Sequence, residues 1–122
     1  MKILVCEKED VLLTALEFRM NKHQFQTLRA HNAEEALEIL DTQAPDFLVT
    51  DANAGSMSGL ELIKTVHSKQ PDLPIILISA MDDSEEILEA FQSGARDFIT
   101  KPFNPVELVL RIRKIFQEAK VG

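Results

Sequence analysis

Phe47-Leu48-Val49-Thr50-Asp51 is an apolar run that ends on a carboxylate, and two later runs end in a similar way. Pro74 to Leu77 leads to Ser79, and Phe98-Ile99-Thr100 leads to Lys101. Runs so short and so apolar read as buried strands. If the three lie side by side and parallel, a carboxylate, a hydroxyl and an ammonium meet on one edge of a sheet, the edge where such sheets bind ligands. That set suits phosphoryl transfer, which needs an in-line nucleophile and positive charge around three equatorial oxygens.

Outward from this stretch, β-branched runs alternate five times with segments of helical period, which predicts (βα)5. Strands are expected near residues 2–6, 25–31, 46–51, 74–79 and 96–100. The helical stripes are Leu12, Ala15, Leu16 and Met20, then Ala33, Ala36, Leu37 and Leu40, then Gly59, Leu62, Ile63 and Val66. Two more follow at Ile87, Ala90 and Phe91 and at Leu108, Ile112, Ile115 and Ala119, each expected to face the core. Asn32 with Glu35, and Asn104 with Pro105 and Glu107, mark helix starts, and Gly94 marks a helix end. Right-handed crossovers then give a three-layer sandwich, helices on both faces of a parallel sheet.

A chain of 122 residues, 45% of them apolar, is one domain that can bury a core without disulfides or metals. Its formal charge of −7 opposes a phosphate backbone, so direct nucleic-acid binding is not expected. Cys6, the single cysteine, falls in the first apolar run and reads as a small buried hydrophobe from a reducing compartment. No stretch is long and uncharged enough for a membrane span, which points to a cytoplasmic protein. The acidic run Asp82-Asp83-Ser84-Glu85-Glu86 suits the positive end of a helix, while Arg111, Arg113, Lys114 and Lys120 suit the later turns of the last one. His23, His31 and His67 share no metal-ligand spacing and are read as structural or exposed.

Five segments in order resemble the receiver domain of bacterial two-component response regulators, the chemotaxis-type fold. They are Lys2 to Glu7, Pro45 to Asp51, Ser58-Gly59-Leu60-Glu61-Leu62, Pro74 to Ala80, and Gly94 to Phe103 with its Thr100-Lys101-Pro102. The resemblance spans the chain and implies one receiver domain over residues 1–122. It implies a flavodoxin-like sheet in the order 2-1-3-4-5. Asp51 would accept a phosphoryl group from a histidine kinase or phosphotransfer protein, with Ser79 and Lys101 on the phosphoryl oxygens. Mg²⁺ would be held by Glu7, Asp51 and the main-chain carbonyl of Asn53. Small Ala80 would leave the entrance open, Phe98 would be the aromatic that turns on activation, and the Lys101-Pro102 bond would be cis. Output would leave through the fourth helix, fifth strand and fifth helix to a downstream domain or protein. Asp97 and Arg111 on that surface suggest an intersubunit ion pair and a homodimer. Such a domain is a phosphoacceptor that assists its own phosphorylation and dephosphorylation rather than an enzyme.

Two departures stand out. Receivers follow the first strand with two adjacent acids, and here the pair is Glu7-Lys8. Lys8 supplies no oxygen to a hard cation. Its ammonium either reaches Asp51 as a tethered stand-in for the metal or extends into solvent, leaving Glu7 and Asp51 to bind Mg²⁺. Gly55 stands where receivers usually carry proline, predicting a more mobile loop after the acceptor. The rival within the family is a pseudo-receiver, a phosphorylation-independent protein-binding module. A haloacid dehalogenase-like phosphatase would need an aspartate at Asn53 and its nucleophile on the first strand. A flavin or nucleotide module would need a glycine-rich phosphate loop, and the chain has none.

Overall fold

The computed structural model describes residues 1–80 and 83–121, with side chains described through residue 118. The elements run β1 (Lys2–Cys6), α1 (Asp10–Lys22), β2 (Gln26–Ala30), α2 (Ala33–Gln43) and β3 (Phe47–Asp51). They continue with α3 (Gly59–Lys69), β4 (Ile75–Ser79), α4 (Ser84–Ser93), β5 (Asp97–Thr100) and α5 (Pro105–Val121). All strand pairs are parallel, in the order β2-β1-β3-β4-β5, so the expected flavodoxin-like (βα)5 sandwich is the fold.

Central strands β3 and β4 are buried at every residue, because helices cover both faces. Alternate residues divide between two cores. Leu4, Leu48, Leu77 and Phe98 face α2, α3 and α4, while Ile3, Val49, Ile76 and Ile99 face α1 and α5. Burying a side chain of this size contributes about 1.5–3 kcal/mol, so the two layers supply most of the drive for folding.

Helix starts follow local chemistry. The side chain of Asn32 accepts from the Glu35 amide at 2.9 Å, that of Ser58 from the Glu61 amide at 3.1 Å, and that of Asp83 from the Glu85 amide at 2.9 Å. Asn104 likewise accepts from the Val106 amide, one residue past Pro105. Gly94 closes α4 at φ 124°, a conformation that favours glycine.

Two expected core positions, Ala15 and Phe91, are exposed, while Leu12, Leu37 and Ile87 are half-buried against the cores. The buried stripe of α1 is Leu13, Leu16 and Met20, with Leu12 half-buried and Ala15 exposed. Apolar side chains occur all round the first turns of α1, so periodicity alone did not single out the inward face. Phe91 is 45% exposed, since α4 buries only Ala90 fully and covers one side of the sheet's edge. The expectations for Ala119, Lys120 and Asp82 lie outside the described side chains.

Candidate functional site

Parallel strands deliver their final residues to one edge, and register fixes who meets whom there. Asp51 pairs with Ile78, so Ser79 lies one residue further along the adjoining strand, and Ser79 in turn pairs with Thr100. The amide of Lys101 donates to the Ser79 carbonyl at 2.8 Å, setting the lysine immediately past β5. On the other side Cys6 pairs with Thr50, which brings Glu7 to the same rim. Asp51, Ser79 and Glu7 are all buried there, at 8%, 2% and 2% exposure.

One ammonium joins two of these tips. Lys101 Nζ donates to Glu7 Oε1 at 3.0 Å and lies 2.6 Å from Asp51 Oδ2. Burial alone would pull this lysine toward neutrality, but its bonds to Asp51 and Glu7 outweigh that and hold its pKa above the ordinary lysine value. Asp51 Oδ1 accepts from the Asn53 amide at 2.8 Å, and Glu7 Oε2 accepts from the Glu9 amide at 3.0 Å. Each carboxylate is thus oriented by one main-chain amide and shares one cation.

The supports are equally local. A Cβ on Gly59 would fall 2.4 Å from the Asp51 carbonyl oxygen, so only glycine lets α3 begin against the end of β3. Gly55 takes φ 84° and places its α-carbon against Asn32, where a Cβ would come within 3.1 Å. The Thr50 hydroxyl donates to the Asp51 carbonyl at 3.0 Å. Beside Lys101 an apolar groove of about 320 Å³ is lined by Val11, Leu12, Ala15, Pro102 and Phe103, with Glu9 at its rim.

The remaining candidates fall as follows. Ala80 is exposed at the rim, past the end of β4. Phe98 is buried among Leu77, Ala90 and Ala95, and the Lys101-Pro102 bond is cis. Lys8 is exposed and makes no ion pair with any described residue, so the cation on Asp51 is Lys101 and the tethered arrangement of Lys8 is not adopted. Arg111 binds both oxygens of Asp97 at 3.0 Å within its own chain and also Glu107. His31 follows β2 at the same edge, between Glu35 four residues on and Asp10, whose approach across 21 residues nothing in the local sequence signals.

For Mg²⁺ the donor set is hard oxygen throughout: the carboxylates of Glu7 and Asp51, convergent enough to share one ammonium, and the Asn53 carbonyl. Two carboxylates completed by water and phosphate oxygens are a usual Mg²⁺ site, so the residues fit the ion. No group of three or more His, Cys, Asp or Glu among the described residues is placed to hold a metal by itself. No helix among them is long and apolar enough to cross a membrane.

Comparison with known proteins gives a consistent answer. The family model described as response regulator receiver domain matches residues 3–113. The alkaline phosphatase synthesis transcriptional regulatory protein PhoP of Bacillus subtilis is 29% identical over 99% of this chain and 50% of its own length. The phosphate regulon transcriptional regulatory protein PhoB of Escherichia coli is 31% identical over 95% of this chain and 52% of its own. The chain spans about half the length of these curated relatives. The receiver domain of Francisella response regulator 1452 superposes with a TM-score of 0.91 at 27% identity, covering 97% of this chain and 98% of that one. A BeF3-activated DrrB receiver domain gives 0.86 at 27% identity, over 95% and 97%.

Proposed function

This chain belongs to the response regulator receiver domain family, and we propose that it works as a phosphoacceptor, taking a phosphoryl group on Asp51 from a histidine kinase or phosphotransfer protein. The observation that carries this is the single ammonium of Lys101 shared by Asp51 and Glu7 at the carboxyl edge of the sheet. Chemically, an Asp51 carboxylate oxygen attacks the phosphorus of a phosphohistidine, the new O–P bond forms as the N–P bond breaks, and the donor imidazole leaves with the electron pair. The product is an acyl phosphate.

Lys101 then turns from neutralising the acceptor to neutralising the transferred group, a task suited to a compact point charge. The Ser79 side chain, one residue past Asp51's partner, donates to a second oxygen. Receiver domains generally bind Mg²⁺ for this reaction; held by Glu7, Asp51 and Asn53, it would supply charge neutralisation between acceptor and phosphoryl oxygens. With Lys8 in place of the second acid, its affinity is lower than in a receiver with two. The groove beside Lys101 gives a protein donor an apolar footing next to the acceptor.

Output leaves through α4, β5 and α5 to a downstream domain or protein in the cytoplasm, Ser79 moving toward the phosphoryl group and Phe98 turning behind it. Since Phe98 has no phenol oxygen, packing alone separates its two positions. Its burial among Leu77, Ala90 and Ala95 supplies that packing. The domain itself is no enzyme in this reading.

The test is acetyl phosphate treatment with and without Mg²⁺, followed by borohydride trapping and peptide mass spectrometry. Label on Asp51 that is lost in Asp51→Asn supports phosphotransfer. Unlabelled protein whose signalling survives Asp51→Asn would instead establish the phosphorylation-independent binding module.

A further inference from the structure

His31 sits at the end of β2 with a carboxylate on each ring nitrogen. Nε2 is 2.8 Å from Asp10 Oδ1 and Nδ1 is 3.0 Å from Glu35 Oε1. A carboxylate only accepts, and a neutral imidazole donates from one nitrogen alone, so this arrangement requires the imidazolium. The same Glu35 oxygen also accepts from the His31 amide at 3.0 Å, which fixes the ring's entry angle.

The two partners open different helices. Asp10 begins α1, directly after the turn in which Glu7 accepts from the Glu9 amide. Glu35 lies in the first turn of α2, whose start is joined to the acceptor loop. There the Ala33 amide donates to the Ala54 carbonyl at 2.8 Å, the Ser56 hydroxyl donates to Glu34 at 3.1 Å, and Gly55 rests against Asn32. A connected path therefore runs from the loop after β1, through His31, to the loop after β3.

We propose that His31 is a positioning residue for the phosphoacceptor site, adding to the main-chain bonds Glu7 to Ala30 and Ala33 to Ala54 a side-chain tie between the starts of α1 and α2 that holds while its imidazole is protonated. The effect on phosphorylation rests on the phosphoacceptor reading of Asp51, whereas the tie itself does not. Charged neighbours on every side set the proton's hold: Asp10 from α1, Glu35 from α2, and Arg29 from β2, whose guanidinium lies 4.0 Å from Asp10 and 3.0 Å from Glu17. Hydrogen bonds to Asp10 first and Glu35 second raise the histidine above its ordinary value, and Glu35 is correspondingly lowered by its bonds from His31. The sign follows. The tie is complete at and below the ordinary histidine pKa and is lost as pH rises through the elevated folded value.

The test is an NMR pH titration of the full chain. The His31 ring should titrate above an ordinary histidine, and Asp10→Asn or Glu35→Gln should each lower its midpoint. The amides of Glu9, Asp10 and Ala54 to Ser56 should shift with the same midpoint, and those shifts should vanish in His31→Gln. Acetyl phosphate labelling of Asp51, normalised to His31→Gln, should fall about two- to fivefold across that midpoint, the scale of an exposed charged contact. Loop amides that stay flat while the ring titrates, or a labelling step that survives His31→Gln, would overturn the proposal. Should His31→Gln not fold, Asp10→Asn serves in its place, and a midpoint unmoved by it would also overturn the tie. Absence of label at every pH would refute the phosphoacceptor reading alone, because the amide titration needs no phosphoryl group.

Discussion

Removing Lys101 would leave the Glu7 and Asp51 carboxylates facing one another without a cation, both buried at the rim. Lys101→Ala is expected to cost about 2 kcal/mol in urea unfolding, a figure discounted because the lysine keeps part of its side chain in solvent. Adding Asp51→Asn should recover part of that loss, since one of the two opposed charges is gone, and a double-mutant cycle reads the difference. Lys8→Asp should tighten Mg²⁺ binding about tenfold by restoring an oxygen ligand, measurable by titration calorimetry. Cys6, whose thiol burial pushes up to about 11, should resist a disulfide reagent at pH 8 until the chain unfolds.

Among the elements, α2 and α3 begin on side-chain caps that can be removed singly. Asn32→Ala should lower stability by about 1 kcal/mol, seen as a smaller denaturant midpoint at unchanged slope. The strands were legible because covered parallel strands must be apolar along their length, and each lies within about one residue of its expected span. The meeting of Asp51, Ser79 and Lys101 on one edge was legible for the same reason, as each ends such a run. Less could be read from α1, where Val11, Leu12 and Phe18 are apolar yet Val11 and Phe18 face solvent. The His31 contact with Asp10 joins residues 21 apart in sequence, and no local pattern encodes a meeting made by tertiary packing. Gly59 reads in the sequence as a core-stripe position and part of a motif, whereas its demand for glycine arises from a backbone approach that appears once α3 is docked.

For the whole molecule, Asp97 and Arg111 satisfy each other within one chain. Burial alone would lower this guanidinium's pKa, but its bonds to Asp97 and Glu107 outweigh that and raise it. A homodimer that used the same two residues across its interface would first have to part them. Association should therefore be weak at rest and strengthen on beryllofluoride treatment, with Leu110, exposed beside them, becoming covered. Sedimentation equilibrium tests this, and a mass that stays monomeric under activating conditions argues against dimeric output. The buried central strand has a separate consequence. Val49 and Thr50 are laddered on both sides and shielded above and below, so their amides should exchange with deuterium only when the entire domain opens. Asp51 directly follows this stretch, so isotope uptake at Val49 and Thr50 would clock global unfolding from one residue away from the proposed chemistry.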